Sequence, residues 1–335
     1  MNGLPNGYSV RPGTMADLDR LIGFVNTYFA AVGSGERYTI DQMAGQLSVP
    51  GFDIESSLRL VFSSYDALVG AGLVIDIREP HVQVFGAGMV SVDHTGRGIG
   101  TALHRWIEAR AREAIPRAPA GARVTLVQQV AESAAAANAF LKAVGYEQTR
   151  HFWKMAIAFD GPVPTPQWPD GIALRTIDPQ RDLEAAAVAS NDAFRDHYGF
   201  VEGPLEEQIA RYRHRIDSDP TYDPTLNFLA LDGDQIAAIC LCSPRTGDDD
   251  SIGYVGTLGV RRAWRRRGLA LALLRHAFGE LQRRGKRGAA LHVDAQSLTG
   301  ATRLYEKAGM RVEELSHEYQ LELRPGTDLA ARTAD

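Results

Sequence analysis

The stretch Tyr254-Val-Gly-Thr-Leu-Gly-Val-Arg-Arg-Ala-Trp-Arg-Arg-Arg-Gly-Leu-Ala-Leu-Ala-Leu-Leu274 decides the fold. It reads as an apolar strand, a basic turn closed by Gly268, and an amphipathic helix. That order builds an anion site. The turn and the first helical residues present backbone N–H groups that have no helical partner, and the helix dipole adds positive potential at the same end. Arginines before a helix are often only solvated surface. Here R-x-x-G-x-A at residues 265–270 has a strand before it and a helix after it, the context such a motif requires.

Working outward, residues 289–294 read as a buried strand and residues 297–308 as a helix ending in Ala-Gly-Met. Upstream, residues 159–171 hold four prolines, which exclude a helix or an interior strand and mark an extended linker. The same plan appears on both sides of it. In the second half, residues 172–176 form a strand and residues 182–194 and 205–216 are helical. Strands at 227–231 and 235–243 follow, joined by the hairpin signal Asp232-Gly-Asp234. In the first half, residues 8–11 are the matching strand, 15–31 the matching helix, and 67–77 and 81–92 further strands. The turn and helix recur as Thr95-Gly-Arg-Gly-Ile-Gly-Thr-Ala-Leu103, then a strand at 123–129 and a helix at 133–146.

Gly98 stands where Gly268 does, and Gly145 where Gly309 does, so the chain is an internal duplication. The expected boundaries are 1–158 for the first copy, 159–171 for the linker, 172–324 for the second copy and 325–335 for a flexible tail. The copies differ where chemistry would occur. Thr95 replaces Arg265, and Leu141 replaces Tyr305.

Composition narrows the class. A chain of 335 residues with 44% hydrophobic and 23% charged residues is a globular protein of two-domain size. A net charge of -5 gives no electrostatic case for nucleic acid. No apolar run reaches the roughly 20 residues of a membrane helix, and the N-terminus lacks the regions of a signal peptide. The two cysteines, Cys240 and Cys242, lie two apart on a strand, without metal-ligand spacing around them. They read as reduced packing residues. No metal and no membrane are expected, and the cytoplasm is the expected compartment.

Residues 265–270 fit the R-x-x-G-x-A signature with which acetyltransferases of the GNAT superfamily cradle the pyrophosphate of acetyl-CoA. The segment Thr299-Gly-Ala-Thr-Arg-Leu-Tyr-Glu-Lys-Ala-Gly-Met310 resembles that superfamily's last helix, usually N-x-x-A-x-x-L-Y-x-x-x-G-F. The resemblance covers nearly the whole chain. It implies an α+β protein of two tandem GNAT folds, each a mixed, mostly antiparallel central sheet flanked by helices. The tandem plan, with an altered N-terminal copy, is similar in architecture alone to that of mycothiol synthase, which acetylates the amine of a cysteinyl pseudodisaccharide.

The implied activity is acetyl transfer from acetyl-CoA to a primary amine of a small molecule, by direct attack and in the C-terminal half. Leu258, Gly259 and Val260 match the strand that takes the pantetheine arm as if it were another strand. Glycine in a strand interior also marks close backbone approach. The phosphates would meet backbone N–H groups from Arg266 through Gly268 and Leu269 to Ala270, with Arg265 and Arg267 adding cationic bonds. Trp264 is expected to pack over the loop, and Arg261 and Arg262 to be solvated. Ser297, where the family more often has Asn, would cap the helix and contact pantetheine. In the first copy the corresponding positions are Met89, Val90, Arg97, Gly98, Ile99 and Gly100. That turn either binds acetyl-CoA without catalysis or does not bind it.

By the same resemblance Tyr305 would donate a proton to the departing thiolate; otherwise it is a core tyrosine. The general base is less defined. His197 has the right pKa range, and Asp196 could orient an ammonium or a water; alternatively, His197 only complements a helix C-terminus. Tyr254, His292 and Asp294 are weaker candidates. Glu202, Glu206 and Glu207 look like the first turn of a solvated helix. Two other readings stand beside this one: a non-catalytic acyl-CoA-binding or sensing protein, and an acyltransferase acting on a protein amine. A Rossmann enzyme is excluded, since the glycine loop follows a late strand without the ribose-binding acid. The duplication supplies an internal pseudo-dimer, which favours a monomer over a homodimer.

Overall fold

Residues 3–247, 249–297 and 299–331 are described in the computed structural model. Packing divides the chain into two units, Met1–Arg150 with Ser316–Leu329, and His151–Leu315 with Ala330–Asp335.

In the first unit, strand β1 (Tyr8–Pro12) leads through a short 3-10 turn into helix α1 (Leu18–Ala31), followed by α2 (Ile40–Leu47) and α3 (Ile54–Ser57). Strands β2 (Leu58–Ser63), β3 (Leu68–Ile75) and β4 (Gln83–Val90) come next. Helix α4 (Ile99–Ala111), strand β5 (Val124–Ala131), helix α5 (Ala135–Ala143) and strand β6 (Glu147–Ala158) complete the copy. The first four strands form an antiparallel meander, and β4 then pairs parallel with β5 at Gln83, Val84 and Phe85. Leu21, Ile22, Phe24 and Val25 on α1 pack against Leu58, Leu60 and Phe62 of β2. Ile99 and Leu103 of α4 pack with Val61 and Val69. The apolar stripe of each helix thus lies on a sheet.

The second unit repeats the plan with β7 (Ile172–Thr176), α6 (Leu183–Phe194), α7 (Leu205–Ser218), β8 (Asn227–Asp232), β9 (Gln235–Ser243) and β10 (Ile252–Val260). Helix α8 (Leu269–Arg283), strand β11 (Gly288–Asp294), helix α9 (Ala301–Lys307) and strand β12 (Arg311–Arg324) follow. Strands β7 to β10 are antiparallel, and β10 is parallel to β11. Leu269, Leu273, Leu274, Ala277, Phe278 and Leu281 of α8 pack with Val255, Ala289, Leu291 and Val293. On the opposite face, Ala186 and Ala189 of α6 pack with Leu229 and Ile239. Each unit is therefore a mixed, mostly antiparallel sheet with helices, as the α+β expectation has it.

The structure departs from the sequence boundaries in three places. Residues 152–158 of β6 pair with β11 in the second unit, and residues 316–324 of β12 pair with β5 in the first. The strand that completes each sheet thus lies across the boundary drawn at 158: residues 316–324 complete the first sheet and residues 152–158 the second. Strand pairing at this distance leaves no local signal. Second, residues 325–331 are not a free tail. The Thr327 amide donates to Gly121 O (2.8 Å), and Ala331 exchanges two backbone bonds with Gly199 and Phe200 (2.9 Å each); residues 332–335 lie outside the described residues. Third, β2, α2 and α3 were not anticipated. The proline linker is extended as expected and lies on α8, where Gln282 bonds Gly161 O (2.7 Å) and the Val163 amide (3.2 Å).

One ion pair recurs in both copies. Arg11 on β1 donates to both oxygens of Asp17 at the start of α1, and Arg175 on β7 does the same to Asp182 before α6. These bonds hold both carboxyls well below the usual carboxylate range. Gly259 fixes a second contact. A Cβ there would lie 2.8 Å from the Phe194 ring and 2.9 Å from Ala193 Cβ, so α6 packs directly on the β10 backbone. The close approach expected at Gly259 is therefore made, on this face, by a helix.

A carboxyl with a lower pKa in the folded state adds stability above its unfolded value, about 4, and loses it as pH falls below. Melting temperature should therefore drop steeply below about pH 4. The Asp17→Asn, Asp182→Asn double variant should melt lower at neutral pH and fall less steeply; an equally steep fall would refute the assignment. Gly259→Ala should cost ~1–3 kcal/mol through overpacking, read by urea denaturation. An unchanged midpoint would show that α6 yields freely.

Candidate active site

The site begins where a sheet stops. Strand β10 pairs with β9 through Leu258, Gly259 and Val260 to its end, with a bulge between Val255 and Thr257. Its parallel pairing with β11 covers only Ile252, Gly253 and Tyr254. Beyond Tyr254 the two strands part, and the β10 edge faces a gap. Backbone groups on such an edge need partners, and an extended ligand arm can supply them by strand addition.

The turn after β10 opens at the same end. Arg266 has φ 60° and Gly268 φ 85°, both left-handed. Successive N–H groups around such residues form an anion-binding nest. The first bond into α8 runs from Ala272 N–H to Gly268 O (3.1 Å), leaving the earlier amides without helical partners. Arg266, Arg267 and Gly268 are exposed, and a Cβ on Gly268 would meet nothing within 4 Å. Leu269 is buried under the helix, and Ala270 is half-buried.

The first copy keeps this backbone closely. Gly98 has φ 82° and ψ -4°, against 85° and -3° at Gly268. Gly96 (φ 72°) takes the place of Arg266. Strand β4 likewise leaves β5 after Phe85, so Met89 and Val90 lie on an open edge beside Ile99 and Gly100. The surroundings differ. Pro5 Cγ is 3.6 Å from where a Cβ on Gly98 would stand, and Leu4 packs on the cluster containing Ile99. Arg97 is spent on the Tyr8 hydroxyl and Asp93 O (3.1 Å each).

Three arginines of the second copy contradict their expected roles. Arg261 and Arg262 are not free surface charges. Arg261 donates to Asp192 (2.7 Å) and Ile236 O (3.2 Å). Arg262 donates through Nε (2.8 Å) and Nη2 (2.5 Å) to Asp196. Arg265, expected on a phosphate, instead donates to Asp196 (2.6 Å), Val260 O (3.1 Å) and Ala193 O (3.0 Å). Asp196 is only 4% exposed. The hydrogen bonds from Arg262, then those from Arg265, hold its carboxyl down at about 2. With both oxygens taken by guanidinium groups, Asp196 is not available to orient a substrate ammonium or a water, which corrects the expectation of a catalytic role. No local signal could have paired it with residues 66 and 69 positions away. Trp264 packs as expected, its indole N–H bonded to Asp232 (2.8 Å).

His197 follows Asp196 and sets its ring against the Phe194 edge at 4.6 Å. Burial, then the Arg265 charge, push its pKa down, while Asp196 and Asp294 oppose this. It is therefore a neutral imidazole at neutral pH. Tyr305 on α9 is 8% exposed. Burial pushes its phenol pKa up, with smaller contributions from Cys240 and Tyr254, which places it near the point where β10 leaves β11. Among the described residues its hydroxyl has no hydrogen-bond partner. Leu141, its counterpart, is a buried core residue. Ser297 Oγ accepts from the Ala301 amide (3.3 Å), but α9 begins later than expected, at Ala301, and its N-cap is Gly300, which corrects the expectation of Ser297 as the cap. The Tyr254 hydroxyl and His292 Nδ1 are 3.1 Å apart across the strands, a pair the sequence reading treated separately. Among the described residues, no cluster of three or more His, Cys, Asp or Glu could hold a metal ion, and no helix is long and apolar enough to cross a membrane.

Comparisons with known proteins agree with this geometry. Residues 190–310 match the Acetyltransferase (GNAT) family. The chain is 33% identical over 168 residues to the mycothiol acetyltransferase of Thermobispora bispora, covering 49% of this chain and 55% of that one. It is 31% identical over 263 residues to the mycothiol acetyltransferase of Thermomonospora curvata, covering 78% of this chain and 82% of that one. A GCN5-related N-acetyltransferase from Sphaerobacter thermophilus, known by crystal structure, matches with a TM-score of 0.80 at 33% identity over 98% of this chain and 99% of that one. The chain belongs to the GNAT family and is an acetyltransferase built from two copies of the GNAT fold.

Proposed function

We propose that this acetyltransferase moves the acetyl group of acetyl-CoA to the primary amine of a small molecule, with the chemistry confined to the second copy. The observation that carries the reading is Tyr305, a buried side chain packed in the cluster with Val255 and Leu258 of β10, whose hydroxyl bonds no described residue and whose counterpart in the first copy is Leu141. A sensing module needs a phosphate turn but no such donor. The pantetheine arm pairs with the free edge at Leu258, Gly259 and Val260. The phosphates rest on the amides from Arg266 to Ala270, with Arg266 and Arg267 as the available cations. The amine attacks the thioester carbonyl, the C–S bond breaks, and Tyr305 gives its proton to the departing sulfur. His197, held neutral by burial and the Arg265 charge, takes the proton the amine loses. The relatives named mycothiol acetyltransferase make the free cysteinyl amine of a mycothiol precursor the first acceptor to test.

One acetyl-CoA binds per chain, because Leu4, Pro5 and Tyr8 occupy the surroundings of the Gly98 turn. Calorimetric titration with acetyl-CoA should give one site; two sites would show that the first turn also works, and no binding would end the reading. Tyr305→Phe should lower turnover ~10²-fold with acetyl-CoA affinity kept, and equal turnover would remove Tyr305 from the mechanism. With His197 as base, kcat/KM should fall on the acid side with an apparent pKa below about 6.5. This limb should vanish in His197→Gln and persist in Tyr305→Phe; a limb unchanged in His197→Gln would assign it to another group.

A further inference from the structure

The Asp196 cluster joins two parts of the site. Arg265 opens the phosphate turn, and its donors end on Asp196, on Ala193 O in α6 and on Val260 O at the end of β10. Arg262 grips the same carboxylate through two nitrogens, and Arg261 adds Asp192 one turn earlier on α6. The residue after Asp196 is His197, whose amide closes a turn on Phe194 O (2.9 Å).

The first copy shows that the turn does not need this cluster to form. There Ser91, Val92 and Thr95 stand in place of Arg261, Arg262 and Arg265, yet Thr95 and Arg265 share φ -66° with ψ 157° and 159°. Asp196 is buried while the Arg262 and Arg265 side chains are 44% and 25% exposed; such a cluster is a weak source of net stability compared with apolar packing, and removing the arginines strands a buried carboxylate. Its presence only in the copy that holds Tyr305 calls for another role.

We infer that Asp196 is a positioning residue that locks the phosphate turn to the segment 193–200, so that acetyl-CoA binding at the turn and the placement of His197, the proposed base, are energetically coupled. The inference rests on the proposed reading of the turn as the acetyl-CoA site. Arg265 then acts on the cofactor through Asp196 and the turn backbone, without touching phosphate.

The test is a double-mutant cycle of wild type, Asp196→Asn, Arg265→Thr and both together, titrated with acetyl-CoA. Each single change should weaken binding about tenfold, within the usual range of coupling between sites. The double variant should be no weaker than either, because both changes remove one cluster. Asp196→Glu should recover part of the loss. In the wild type, acetyl-CoA should slow hydrogen exchange at residues 193–200, and the effect should disappear in the variants.

Unchanged or tighter binding by Asp196→Asn, with weaker binding by Arg265→Thr, would mean that Arg265 reaches the phosphate itself and would overturn the inference. So would wild-type exchange at 193–200 that ignores acetyl-CoA. Failure of the wild type to bind acetyl-CoA would instead refute the functional reading, and the inference with it. Should Asp196→Asn not fold, Arg262→Gln replaces it in the cycle, with the same expected and overturning results.

Discussion

Strand β10 gives up its parallel partner after three residues while keeping its antiparallel one to the end, and the rest of the site depends on that asymmetry. A sheet edge inside a domain leaves backbone donors and acceptors unsatisfied, which folded proteins tolerate only where something else will pair with them. The bulge between Val255 and Thr257 belongs to the second copy alone, since the matching β3–β4 ladder is continuous. The divergence sets the start of α8 at the mouth of the gap, with Tyr305 near its closed end. The same break in β4 and β5 shows that the gap is a property of the fold, shared by both copies.

The two copies separate what maintains a backbone from the side chains to which the proposed function assigns the chemistry. The turn angles at Gly98 and Gly268 agree within a few degrees, and the Arg11–Asp17 pair has its counterpart in Arg175–Asp182. These features hold strand to helix and turn to helix, and they persist. The phenol of Tyr305, the neutral imidazole of His197 and the arginine cluster have no counterpart in the first copy, where Leu141 and Thr95 occupy the key places. Arg97, left in the first turn, bonds its own neighbours.

Charge in the second copy is arranged inwardly. Of the five arginines from Arg261 to Arg267, three end on α6 or the residues just after it, through Asp192, Ala193 O and Asp196, and the other two lie exposed beside Gly268. Counting cations in the motif therefore overstates what remains for an anionic ligand. In the proposed reading the backbone amides carry more of that task than the side chains do, which suits a turn whose dihedral angles are nearly the same where Thr95 replaces Arg265.

The sequence by itself determined the duplication, the strand–turn–helix order around Gly98 and Gly268 and the place of Tyr305 on the last helix, though not β2, α2 or α3. Each is a local matter: hydrophobic period, turn chemistry, or a short motif in its strand-to-helix context. It also placed Trp264 as a packing residue. Tertiary structure alone decided which strands complete each sheet, because β6 and β12 pair with segments more than a hundred residues away and their patterns name no partner. It decided that α6 fills the space left by Gly259, that Pro5 stands at the Gly98 turn, and that Asp196 is a buried ion-pair partner. A carboxylate, a glycine and an arginine have several possible partners in sequence. Which one each meets is fixed only when distant backbone segments pack against one another.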